Sequence, residues 1–142
     1  MVNTTRQLDV YEVFDKFEKA KTREEKIQVL KQNETWALKD IIKGAMDPKI
    51  EWLLPKGDVP YTACEAHNAP STLLRKNVDF KYCVKGGPGT KMPAFKREKV
   101  FLGIVESIHP KDAELVCAMI NKKLPVKGLT PKIVEEAFPG LL

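Results

Sequence analysis

Cysteine and long apolar segments are scarce in this chain of 142 residues, and each shortage argues against a class of protein. The three cysteines (Cys64, Cys83 and Cys117) are odd in number and irregularly spaced, which argues against a disulfide framework and favours a reducing compartment. No apolar run approaches the ~18 residues that a membrane-spanning helix needs, and the N-terminus carries no signal-peptide pattern. We therefore expect a cytoplasmic protein that does not enter a membrane.

The sequence also contains few patterns typical of cofactor, metal or catalytic sites, and those that it contains are incomplete. Residues 86–91 are rich in glycine but lack the spacing of a phosphate-binding P-loop, and Pro88 removes one of the amides that such a loop uses. Cys64 and His67 have the spacing of zinc ligands, with Cys83 further along, but no fourth ligand follows at a typical interval. These three residues form a weak metal candidate. We expect no metal, no cofactor and no catalytic residue.

Positive charge is concentrated in the middle of the chain, which has a formal net charge of +5 at pH 7. Residues 68–99 hold eight basic and two acidic residues, whereas the segments on either side are close to neutral. A local positive field suits a polyanion, because each phosphate that a protein neutralises releases condensed counterions. A solvated lysine-rich loop is the alternative. The candidate phosphate-binding residues in this segment are Arg75, Lys76, Lys81, Lys85, Lys91 and Lys96.

Helical periodicity dominates the N-terminal third. Apolar residues recur at helical spacing over residues 7–20, which predicts an amphipathic helix. Thr22 followed by Glu25 is a capping-box signature, because the hydroxyl can accept from the third amide while the carboxylate reaches back. We expect the second helix to begin there and to end near Gln32.

A third helix is predicted from an apolar stripe that runs from Trp36 to Ala45. We expect Asn33 to be its N-cap and Pro48 to break the pattern. Trp36 and Trp52 are interpreted as anchors of the core rather than as platforms on which bases stack.

Turn residues fill the segment from 56 to 92, which predicts a loop-rich basic insertion with one short helix and one short strand at most. A loop of this length is unusual in a compact domain, so it indicates either a binding loop or unrecognised structure. Its surface is also a candidate contact for a protein partner.

The C-terminal third returns to helical periodicity. Pro110 suits the first turn of a helix, and Lys122 and Lys123 are expected in its last turn. Thr130 is predicted as the N-cap of a final helix, with Pro131 at the first helical position. The fold class that follows is mainly α: a compact bundle of about six helices in one domain, residues 1–142.

The turn before the final helix has the chemistry of a phosphate site. Gly128 offers backbone free of side-chain clash, and unpaired amides at a helix N-terminus can bind an anion. An ordinary glycine-capped turn with solvated lysines is the alternative. The candidate residues here are Lys122, Lys123, Lys127, Gly128, Thr130 and Lys132.

The order of short motifs at the C-terminus points to a known family. A basic-leucine pair, a glycine with a small hydroxyl residue, an isoleucine-valine pair and an aromatic-Pro-Gly-Leu close follow one another. They are Lys123-Leu124, Gly128-Leu129-Thr130, Ile133-Val134 and Phe138-Pro139-Gly140-Leu141. This ending resembles the N-terminal α-helical DNA-binding domain of phage-type ATP-dependent DNA ligases. The N-terminal helices match more weakly, and residues 56–92 match nothing in that family.

The resemblance implies a domain that grips the backbone and minor groove of duplex DNA, nicked or intact, with little sequence specificity. The Lys-x-Asp-Gly motif on which ligases carry AMP is absent, since residues 56–59 read Lys-Gly-Asp-Val. We therefore expect a non-catalytic DNA-binding protein of phage DNA metabolism, working in the host cytoplasm. Two alternatives stay open: a protein-interaction or virion module on the same scaffold, and one fragment of a split ligase.

Overall fold

Helices account for most of the computed structural model, which describes residues 8–54 and 61–142. Three 3₁₀ helices accompany the α-helices, and the described residues form no strand, only an isolated antiparallel bridge between Trp52 and Val84. The mainly α fold class is thus confirmed. The α-helices are α1 (Val10–Lys19), α2 (Arg23–Gln32), α3 (Trp36–Met46), α4 (Leu73–Lys76), α5 (Ala94–Val105), α6 (Pro110–Ile120) and α7 (Pro131–Ala137).

Local capping rules fix the starts of several helices. The Thr22 hydroxyl accepts a hydrogen bond from the Glu25 amide at 3.2 Å and begins α2 as predicted. The Glu25 carboxylate reaches back to the Lys21 amide at 3.0 Å, one residue before the cap. Thr130 caps α7 in the same way, and Pro131 occupies its first turn. Both predicted N-caps are confirmed.

The N-cap of α3 was predicted wrongly. Thr35 begins this helix, since its hydroxyl accepts from the Leu38 amide at 3.1 Å. Asn33 instead ends α2, where its side-chain amide donates to the carbonyl of Val29 at 2.8 Å. The physical reason is position: an N-cap side chain must stand directly before the first helical residue, and Asn33 is too far upstream.

The core forms around α6, which packs against α1, α3 and α5, while α7 packs against α2. Each of these helices turns its apolar stripe inward, as amphipathic helices of a bundle do. A hydrogen bond also joins α1 to α6: the backbone amide of Tyr11 donates to the side-chain carboxylate of Asp112 at 2.9 Å. The largest side chains that are almost completely buried include Phe17, Leu38, Ile41, Phe101, Ile104 and Met119.

The two tryptophans behave differently from each other. Trp36 was expected in the core, but its side chain is 74% exposed on the first turn of α3, so that prediction is wrong. Trp52 does pack against the core. Its indole N–H donates to the carbonyl of Gly44 at 2.9 Å, and its ring meets Phe80 edge to face.

The central segment is structured within the part of the chain that the structure describes. It contains α4 and 3₁₀ helices at Ala66–Asn68, Asn77–Cys83 and Pro88–Lys91. We name Asn77–Cys83 the central 3₁₀ helix. It packs against α3, α4 and α5 and buries Phe80 and Cys83, so this segment contributes to the core. The predicted short strand is reduced to the single bridge at Val84, and residues 55–60 lie outside the described residues.

No helix within residues 8–54 and 61–142 is long and apolar enough to cross a membrane.

Candidate nucleic-acid interface

Lys122 serves the fold and does not present its ammonium to a phosphate. Helix α6 ends at Ile120, so Lys122 and Lys123 follow the helix, and the prediction that they occupy its last turn is wrong. The φ angle of Lys122 is 60°, and its Nζ donates to the carbonyls of Gly44 at 2.7 Å and Asp47 at 2.9 Å. Those carbonyls belong to the C-terminal end of α3, where a cation is stabilised. Burial lowers the pKa of Lys122, and the nearby Asp47 opposes the shift.

The predicted phosphate cradle around Gly128 is largely closed by the protein itself. The Lys127 amide donates to the Glu18 carboxylate at 3.2 Å, and the Ile133 amide donates to the Thr130 hydroxyl at 3.3 Å. Pro131 has no amide to offer. Gly128 does adopt a left-handed φ of 84°, as the turn prediction requires. A carboxylate therefore stands where an anion was expected to bind.

Three lysines at this end remain available for contact. Lys123, Lys127 and Lys132 are exposed, and none forms an ion pair with any described residue. They carry the positive charge of the C-terminal candidate set once Lys122 is removed from it.

Five cations of the middle segment share a structural setting. Four of them are exposed and Lys76 is half-buried, and none has an ion-pair partner among the described residues. The elements that carry or flank them (α4, α5 and the Pro88–Lys91 3₁₀ helix) all pack on the central 3₁₀ helix. We name this set the central basic cluster. It consists of Arg75, Lys76, Lys81, Lys91 and Lys96.

Two basic residues of this segment are occupied by the protein. Lys85 pairs with Glu51 at 3.2 Å, and the two residues also share a backbone hydrogen bond of 2.9 Å. The Arg97 guanidinium donates to the carbonyls of Gly89 and Met92 and, through Nε, to that of Leu53. Arg97 is thus a clamp that holds the glycine-rich turn against α5. No sequence signal distinguishes it from its neighbour Lys96.

The weak metal candidate does not assemble. Cys64 donates through its Sγ to the carbonyl of Ile108 at 2.8 Å, and His67 lies exposed beside Glu65 at 3.2 Å. Cys83 is buried, which raises the pKa of its thiol to about 11. In the described ranges, no group of three or more histidine, cysteine, aspartate or glutamate side chains is placed to hold a metal ion.

A groove between α3 and the central 3₁₀ helix was not foreseen from the sequence. Its volume is about 590 Å³, and its walls are mainly apolar. Asp40 accepts from the Asn77 side-chain amide at 2.7 Å, and burial raises the pKa of this carboxyl. We name it the Trp36 groove. It is lined by Trp36, Asp40, Lys43, Gly44, Ile50, Trp52, Leu74, Asn77, Val78, Phe80, Lys81 and Val84.

These features define a helical protein with a basic central segment and an apolar groove beside it. The chain belongs to DUF6433, a family of unknown function, whose model matches residues 13–126. No curated protein and no solved structure matches the chain. The family match includes residues 56–92 and the Lys123-Leu124 pair, and it ends before the remaining C-terminal motifs that carry the ligase resemblance, which begin at Gly128.

Proposed function

We propose that this protein binds duplex DNA through the sugar-phosphate backbone, with little sequence preference and without catalysing a reaction. The observation that carries the proposal is the central basic cluster, whose five cations have no carboxylate partner within the described residues. A cation that is not paired with a carboxylate can neutralise a DNA phosphate. The counterions released from that phosphate then favour binding. Contacts of this kind position a protein on DNA without reading its sequence.

The main interface in this proposal lies on the central segment. Lys122 is removed from the candidate set because its ammonium is held by two carbonyls at the end of α3. Lys85 is weakened as a candidate by its pairing with Glu51. The exposed Lys123, Lys127 and Lys132 add secondary contacts by charge alone, since the amides beside them have internal partners. The ligase-like C-terminal motifs support the choice of DNA as the polyanion.

A matched pair of triple variants tests the position of this interface. Replacing Arg75, Lys91 and Lys96 by glutamine removes three charges from the central basic cluster. Replacing Lys16, Lys19 and Lys31 removes the same net charge from exposed positions on α1 and α2. Lys26 is avoided in the control because its Nζ donates to the carbonyl of Phe17 at 2.8 Å.

Affinity for a fluorescently labelled duplex of about 20 base pairs, nicked or intact, is then measured by anisotropy at low salt. The central variant should bind at least about tenfold more weakly than wild type, and the control variant should lose less than about threefold. Equal losses would show that only the overall charge matters. Absence of any binding by the wild-type protein would remove the proposed function.

A further inference from the structure

We propose that the Trp36 groove binds an amphipathic helical segment of a protein partner, with apolar residues on one side and acidic residues at its edges. This inference concerns a protein partner and not DNA, and the groove shares one cation, Lys81, with the central basic cluster. It starts from the exposure of large apolar side chains. Trp36 is 74% exposed and Val78 is 61% exposed, and both lie on the rim of one groove.

The groove walls favour aliphatic or aromatic side chains as the occupant. Ile50, Leu74, Val78 and Val84 supply aliphatic surface on several sides. Exposed apolar surface of this kind is characteristic of protein contact sites. A helix that docks in such a groove presents apolar residues spaced three and four apart, which is the recurring mode of helix-in-groove recognition.

The charges that line the groove determine which charge the partner segment should carry. Lys43 and Lys81 are the cations in the lining; the charge of Lys43 acts on the nearby Asp40 carboxylate, and neither lysine forms a close ion pair among residues 8–54 and 61–142. Asp40 is the lining carboxylate, and it is already hydrogen-bonded to Asn77. The groove therefore presents net positive charge around an apolar floor. Acidic residues flanking the apolar stripe of the partner complement it.

The aromatic residues do not form an open platform for bases. The ammonium of Lys39 lies 4.6 Å from the centroid of the Trp36 ring and covers one of its faces. The Trp52 ring has Phe80 against it at a centroid distance of 6.0 Å, and its N–H is bound to Gly44. Single-stranded nucleic acid needs successive ring faces on which bases stack. One face of Trp36 is covered and Trp52 is held by Phe80 and Gly44, so the two rings offer no run of stacking faces, and the aliphatic walls favour a peptide.

Selection from a random-peptide display library on the wild-type protein tests this inference. Enriched peptides should carry net negative charge and apolar residues spaced three and four apart. Synthetic copies of the enriched peptides should bind the Val78→Glu variant at least about tenfold more weakly than the wild-type protein. The substitution places a carboxylate on the rim, which repels the acidic residues of the peptide. Phe95→Glu is the matched control, since Phe95 is 64% exposed but does not line the groove.

A charge-swap experiment makes the assignment specific. Lys43→Glu combined with Lys81→Glu should weaken the acidic peptides by about tenfold or more, and exchanging the peptide glutamates for lysines should restore binding. Circular dichroism confirms that each variant is folded. No enrichment, enrichment of basic peptides, or equal binding to Val78→Glu and wild type would overturn the inference. So would quenching of Trp36 fluorescence, recorded in a Trp52→Phe variant, by a single-stranded oligonucleotide but not by the peptides, which would assign the groove to nucleic acid.

Discussion

The ammonium of Lys122 lies 2.7 Å from the carbonyl oxygen of Gly44, so that a residue following α6 closes the C-terminal end of α3. The same ammonium lies 2.9 Å from the carbonyl oxygen of Asp47. Each carbonyl also accepts from a second donor, the Trp52 indole N–H for Gly44 and the Ile50 amide for Asp47, and a cation that bonds to carbonyls at a helix C-terminus stabilises that end. Lys122 and Lys123 are both exposed residues, and they differ because only the Lys122 ammonium is hydrogen-bonded to carbonyls of the protein.

Replacing Lys122 by methionine tests this contact. The variant keeps the aliphatic stem and loses both charge-assisted hydrogen bonds, so the free energy of unfolding should fall by about 1 to 2 kcal/mol. Lys123→Met is the control, and it should change stability by less than about 0.5 kcal/mol. Urea denaturation followed by tryptophan fluorescence measures both. Equal effects on the two variants would contradict the structural role of Lys122.

Asp112 should make stability depend on pH. Its side chain is 1% exposed, and burial raises its pKa to about 7, opposed by the Tyr11 amide and reinforced by Asp9 and Glu12. Its Oδ2 has no hydrogen-bond partner among the described residues. Because the folded state binds this proton more tightly than the unfolded chain does, Asp112 favours folding most below about pH 4. That contribution declines as pH rises towards about 7.

Asp112→Asn should remove this dependence, because the amide replaces the protonated carboxyl and never ionises. The stability of the variant relative to wild type should rise between about pH 4 and pH 7, by roughly 2 to 4 kcal/mol in all. Asp15→Asn, at an exposed position on α1, is the control variant. Thermal melts across this pH range provide the comparison, and a constant difference would contradict the assignment to Asp112.

Two glycines should respond to alanine in opposite ways. A Cβ on Gly89 would overlap the backbone carbonyl of Tyr82, so Gly89→Ala should force the glycine-rich turn away from the central 3₁₀ helix. We expect a loss of about 2 kcal/mol or more. Gly103 lies within α5 with open space at its Cβ position, and alanine there should stabilise by about 0.5 to 1 kcal/mol. Two losses of similar size would show that the turn is not docked in this way.

The two tryptophans should separate in their contributions to stability. Trp36→Phe replaces an exposed indole by a phenyl ring and should change the free energy of unfolding by less than about 0.5 kcal/mol. Trp52→Phe loses the hydrogen bond to Gly44 and should cost about 1 kcal/mol or more. Chemical denaturation followed by circular dichroism measures each variant. A larger loss for Trp36 would mean that it anchors the core.

Local rules explain why part of the fold could be predicted from the sequence. The caps at Thr22 and Thr130 depend on a hydroxyl and an amide three residues away, so neighbouring residues determine them. The prediction that Trp36 lies in the core failed because this residue stands at the edge of the apolar stripe of α3. The buried face of α3 is set by Ala37 and Ile41, and a one-position rotation turns a side chain towards solvent.

The candidate site was harder to predict because its decisive features are tertiary. Arg97 and Lys96 look alike in sequence, yet the carbonyls that hold Arg97 come from residues brought together by folding. The Trp36 groove combines residues of α3 with residues of the central 3₁₀ helix, and no local pattern joins them. Counting charges located the basic segment. It could not show which cations are held in hydrogen bonds or ion pairs within the protein.

The most direct test of DNA binding is the salt dependence of affinity for a duplex. Log affinity should fall linearly with log salt, with a slope of roughly −4.5 for wild type if the five cations of the central basic cluster each neutralise a phosphate. For the variant in which glutamine replaces Arg75, Lys91 and Lys96, the magnitude of that slope should be smaller by about 3. An unchanged slope, or no detectable binding at about 50 mM salt, would contradict the account.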